Sequence, residues 1–151
     1  MSDYTVTVTA TVNTWPGNNG SITAYSIAAV FDANLPANFL SVDSTGHFIA
    51  AMRRGSDGKI TSPVKPGDKI TFTFGGSTGF TVTDVTGLNG NVGGLSFGPV
   101  STSNGTTSLT ATVNNSAVGA GKTHTEYVID MKQTSSSEEA SIDPDFETDV
   151  A

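Results

Sequence analysis

The chain has no cysteine, so a disulfide framework, a thiolate zinc site and a thiol nucleophile are all closed to it. Charge is scarce as well: Asp, Glu, Lys and Arg make up 14% of the residues, against about a quarter in an ordinary globular domain. Thr, Ser, Asn and Gly must therefore cover most of the wet surface. No run approaches the roughly 18 consecutive apolar residues of a membrane-spanning helix. The first residues, Met1 to Val6, lack the basic region and apolar run of a secretory signal. A protein made in the cytoplasm is the expectation, with attachment to a surface or a particle left open.

Basic residues are few, and the acids are unevenly placed. The net charge is -7, but Glu138, Glu139, Asp143, Asp145, Glu147 and Asp149 lie in the last fourteen residues with no basic partner among them. Without those six acids the body holds seven basic against eight acidic residues and is near neutral. A nucleic-acid partner is excluded on this ground, because neutralising phosphates needs a basic face.

What the chain does have is alternation. Tyr4 to Val12 reads Tyr-Thr-Val-Thr-Val-Thr-Ala-Thr-Val. In a β-strand this puts Tyr4, Val6, Val8, Ala10 and Val12 on one face and four threonines on the other. Weaker copies follow over 21–31, 39–42, 47–52, 69–74, 79–85, 95–100, 107–113 and 122–131, separated by Gly-, Pro- and Asn-rich turns. The turn Asp43-Ser44-Thr45-Gly46 predicts a hairpin between the runs 39–42 and 47–52. No window holds a 3.6-residue period with caps; Ala28 to Phe39 comes nearest, and Pro36 interrupts it. Asn19-Gly20-Ser21, Asn104-Gly105-Thr106 and Asn114-Asn115-Ser116 match the glycosylation pattern but read as turns.

The expected fold is all-β: an antiparallel β-sandwich of Greek-key type with about eight or nine strands, occupying residues 1–132. Residues 133–151, Ser-rich and then acidic, are expected to form a mobile or loosely docked tail.

Two local resemblances accompany this pattern. Val64-Lys65-Pro66-Gly67-Asp68-Lys69-Ile70-Thr71-Phe72 resembles the Pro-Gly-Asp turn that precedes a strand in cupredoxin-like and immunoglobulin-like domains. Pro fixes φ, Gly supplies a positive φ and Asp caps the turn. With no cysteine and its two histidines 77 positions apart, a cupredoxin-like fold here would be copper-free. No cofactor is expected. The ending Ile142-Asp143-Pro144 is similar to that of uncharacterised bacterial β-sandwich proteins and implies no activity.

Three groups of residues could carry function. Trp15 lies in a turn-rich loop with Asn13, Asn18 and Asn19. An exposed indole could stack on a sugar ring while the amides bond its hydroxyls, or it could fold back and plug one end of the fold. Arg53, Arg54 and Lys59 lead the only basic cluster, which could hold an anion or receive the acidic tail. His47 and His124 could be drawn into a Ser-His-Asp triad, but such combinations are uninformative in a chain this rich in Ser, and no Gly-x-Ser-x-Gly elbow is present.

The expected function is therefore not enzymatic. A binding or assembly module that joins its own copies, another protein or a larger particle fits best, because its strands carry few of the lysines that normally guard sheet edges. A carbohydrate-binding module built on the Trp15 loop is the alternative.

Overall fold

A computed structural model describes residues 1–151. The chain is all-β and contains no helix. Its strands are β1 (Asp3–Val12), β2 (Gly20–Ser21), β3 (Tyr25–Phe31), β4 (Leu40–Val42), β5 (Phe48–Arg54), β6 (Ile60–Ser62), β7 (Lys69–Gly76) and β8 (Phe80–Thr86). There follow β9 (Gly90–Val92), β10 (Leu95–Phe97), β11 (Ser101–Ser103), β12 (Thr106–Val113), β13 (Gly121–Glu126), β14 (Val128–Gln133), β15 (Glu139–Ile142) and β16 (Asp145–Val150).

They form three sheets. The largest runs β3-β1-β7-β12-β10-β9, with β11 also on β12; the second runs β13-β16-β5-β4, with β6 on β5; the third runs β2-β15-β14-β8. β1 behaves as its alternation dictates: Val6, Val8 and Ala10 are buried and Thr5, Thr7, Thr9 and Thr11 are exposed. The hairpin expected around Asp43 to Gly46 is present, with Val42 opposite Phe48 across β4 and β5.

The expectation of a purely antiparallel sandwich of eight or nine strands is corrected in two respects. There are sixteen strands, and three of the pairings are parallel: β1 with β7, β2 with β15, and β5 with β16. Several single runs are in fact broken. The run over 21–31 gives its first residue to β2, while Ile22 donates its N–H to the Ser141 carbonyl before β3 begins. The run over 122–131 breaks at Tyr127, whose N–H bonds the Pro144 carbonyl and whose hydroxyl donates to the Gly46 carbonyl at 2.7 Å. The halves on either side of it, β13 and β14, then join different sheets.

The larger correction concerns residues 133–151, expected to be mobile or loosely docked. They supply β15 and β16, and Ala140, Ile142, Phe146, Thr148 and Val150 are buried. Phe146 stands in the aromatic centre of the core, 5.6 Å from Phe48, 5.9 Å from Phe72 and 5.2 Å from Phe97 between ring centroids. The physical reason lies in the alternation itself. Asp145, Glu147 and Asp149 fall on the wet face of β16, so the acids that suggested disorder are the outer half of a half-buried strand.

The core joins all three sheets, with Val82 and Val85 of β8 and Ile129 and Met131 of β14 in the same buried cluster. Phe72 of the largest sheet packs edge-on against Phe48 and Phe146 of the second, and its neighbour Phe74 lies 6.0 Å from Tyr127. The largest sheet thus lays one face over the other two and leaves its second face outward.

Candidate functional site

The Trp15 loop is turned inward. The indole is half-buried, its ring centroid 5.3 Å from Phe80, and its Nε1–H donates to Glu138 Oε1 at 2.9 Å. Asn18 Oδ1 accepts the Glu139 N–H at 3.0 Å, and the Asn19 N–H donates to the Glu139 carbonyl. Asn13 donates its N–H to the Ala24 carbonyl. The structure brings Trp15, Asn18 and Asn19 together, but around Glu138 and Glu139 of the chain's own C-terminal segment. Asn19 and Asn104 both lie in turns and adopt positive φ, a conformation that Asn tolerates better than most residues.

The basic residues lie apart from that loop. Arg53 and Arg54 are the exposed last residues of β5, and Lys59 is exposed in the following turn. The chain end reaches them through backbone bonds: Arg54 N–H to the Ala151 carbonyl, and Ala151 N–H to the Met52 carbonyl. Arg53 shares a shallow hollow of about 460 Å³ with Asp149 and Ala151. No ion pair joins an arginine or lysine to an acid anywhere in the molecule.

The two histidines converge on one acid. His47 Nε2 lies 3.8 Å from Glu147 Oε1, and His124 faces Glu147 across the β13–β16 register. Neither imidazole makes a side-chain hydrogen bond, and no group of three or more His, Asp or Glu residues could hold a metal ion. A second hollow, of about 510 Å³, is lined by Asp84, Asp130, Glu139 and polar neighbours. Burial, then the charges of Asp84, Glu139 and Asp143, push the Asp130 carboxyl up from its ordinary range.

The outer face of the largest sheet has the opposite character. Register places Val30, Thr7, Thr73 and Ser108 in one row across β3, β1, β7 and β12, and Thr5, Thr71 and Thr110 in the next. Thr73 and Ser108 hydroxyls are 2.9 Å apart, as are those of Thr71 and Thr110. The cross-strand hydroxyls thus bond one another and present methyl groups beside them. Asp3, Lys69 and Asp32 stand at the rim, and no charged residue lies between them and the opposite end of the face. The wall ends at β3, where Ala28 and Val30 are exposed, Val30 at 73%. Sequence reasoning found the threonines of β1 but missed that β7 and β12 continue them, because the parallel β1–β7 pairing that aligns the rows is invisible from the sequence.

No family model matches this chain, and no curated protein matches it. Among solved structures it is similar to an inclusion body protein, PixA, from Burkholderia cenocepacia, with a TM-score of 0.51 and 12% identity. That match covers 100% of this chain and 98% of the other. It is a likeness of fold. No helix of the chain is long and apolar enough to cross a membrane.

Proposed function

We propose that this protein is a non-enzymatic assembly module whose copies meet through the uncharged threonine wall of the largest sheet. The single observation that carries this reading is the segregation of charge. The wall is free of charge within its rim, whereas Asp84, Asp130, Glu139, Glu147 and Asp149 lie on the strands of the other two sheets. Copies that each carry a net charge of -7 repel one another in most orientations. The wall is the approach along which they do not. The fold likeness to an inclusion body protein supports the same reading.

Magnitude sets the mode of association. Four strands about 4.8 Å apart, each contributing roughly seven residues at about 3.3 Å, give a wall of roughly 440 Å². Two walls face to face bury roughly 900 Å², below a standard specific contact and in the range of weak encounters. One such contact is weak, and an assembly becomes stable only by repeating it.

Association should therefore rise with protein concentration and with salt, which screens the acids. Sedimentation velocity over a concentration series at low and moderate salt tests this. The proposal expects mass to grow in both directions. A monomer at every concentration and salt level would overturn it.

A further inference from the structure

The threonine wall is bounded by β3, and the backbone of that strand is open on its outer side. β3 pairs with β1 with residue numbers summing to 37, and the bonds Asn13 N–H to Ala24 C=O and Asp32 N–H to Thr5 C=O show that even-numbered residues face β1. Odd-numbered residues therefore aim their N–H and C=O groups outward. Ile27 spends its outward N–H on the Ser44 carbonyl at 2.8 Å. The outward groups of Ala29 and Phe31 have no partner in the molecule.

Other strand edges are short, guarded or covered. β4, β6 and β9 are three residues long, and β2 is two. β13 carries Lys122, His124 and Glu126. β8 is overlain by β11 and β12, with the Val82 N–H bonded to the Gly105 carbonyl and the Thr83 carbonyl accepting from Thr102. β3 alone is seven residues long with no Pro and no charge, which are the devices that usually blunt an edge.

We infer that β3 pairs antiparallel with β3 of a second copy about a twofold axis at Val30, joining two large sheets into one continuous threonine-faced sheet. This rests on the assembly reading above and adds an edge-to-edge contact to the face-to-face one. The Ile27–Ser44 bond selects the register. Centring the axis on Ala29 would oppose Ile27 to Phe31 and compete for an N–H already in use. Centring it on Val30 opposes Ala29 to Phe31 twice, which satisfies every free N–H and C=O of that pair. The occupant is a copy of this chain because the pairing is self-complementary. From Ala28 to Phe31 neither strand brings a charge, so no like-charge pair arises between two acidic molecules. The exposed Val30 side chain meets its own counterpart.

A non-hydrogen-bonded antiparallel pair holds its Cα atoms about 4.5 Å apart, within the span of a disulfide. The chain has no native thiol, so Val30→Cys introduces the only one, at a site exposed enough to accept it. Mild oxidation of Val30→Cys, with Thr86→Cys as an exposed control on β8, is followed by non-reducing electrophoresis beside sedimentation of the unoxidised samples. The inference expects a reducible dimer from Val30→Cys at about tenfold or more the yield of the control, as an effective concentration at the paired edge requires. Assembly without enrichment of the Val30→Cys dimer over the control overturns the edge pairing and leaves the assembly reading standing. Neither assembly nor cross-linking overturns both.

Discussion

Phe146 shows how much one residue of the acidic segment carries. Three ring neighbours lie within 6 Å of it, one stacked and two edge-on, and none of its surface is exposed. Each such pairing contributes about 0.5–1.5 kcal/mol beyond simple burial. The cavity left by truncation adds to the loss, so Phe146→Ala should cost about 3–5 kcal/mol. Denaturant unfolding measures this, and a loss below about 1 kcal/mol would mean that the segment is not anchored as described. Trp15 makes the same point from the other side. A residue whose type and loop setting suggested a sugar platform spends its polar edge on Glu138 and its face on Phe80.

The strands were legible where their two faces differ in an ordinary way. β1, β7 and β12 alternate apolar with Thr or Ser, and the sequence pattern located each of them, and β5, within a few residues. The hairpin turn at Asp43 was legible from its residue types, and its mechanism is plain: Asp43 Oδ1 accepts from the Thr45 N–H, the Thr45 hydroxyl and the His47 N–H. β16 was hidden because its wet face is Asp and Glu, which composition reads as disorder, and because Thr148 at an inward position breaks the apolar period, although burial alternates along it as strictly as along β1. The short strands β2, β6, β9 and β11 were hidden for another reason: at two or three residues a strand has no period, and only its partners define it. The candidate wall was legible strand by strand but not as a surface, because pairing order is a long-range property. Register also creates a local conflict. Asp84 and Asp130 sit directly opposite across β8 and β14, and burial with three neighbouring acids raises the Asp130 carboxyl's pKa. An acid whose pKa is higher folded than unfolded destabilises the fold when ionised. That penalty is absent below the ordinary carboxylate range and fully present above the raised value, so it grows as pH rises between them. Asp130→Asn should therefore stabilise the protein at neutral pH, by less than about 1 kcal/mol because the site is open to solvent. The gain should fade on acidification. Thermal melts of both proteins from pH 3 to 7 would show the gain fading, and a mutant less stable at neutral pH would contradict it.

At the scale of the whole molecule, the three sheets divide the surface by chemistry. Two of them carry acids along their strands, and the largest presents hydroxyl and methyl groups in rows set by the β1–β7 and β7–β12 registers. A uniformly charged surface would keep copies apart, and a uniformly uncharged one would leave them insoluble. Segregation does neither, and it directs contact to one wall and its open edge. The measurement that tests this most directly is sedimentation of Thr9→Lys beside Thr86→Lys. The two substitutions make the same change in charge at exposed threonines, one on the wall and one on β8. If the wall is where copies meet, Thr9→Lys abolishes concentration-dependent association beyond the edge-paired dimer, while Thr86→Lys, which lowers the net negative charge, leaves it intact or strengthens it. Equal association of both variants would contradict the account.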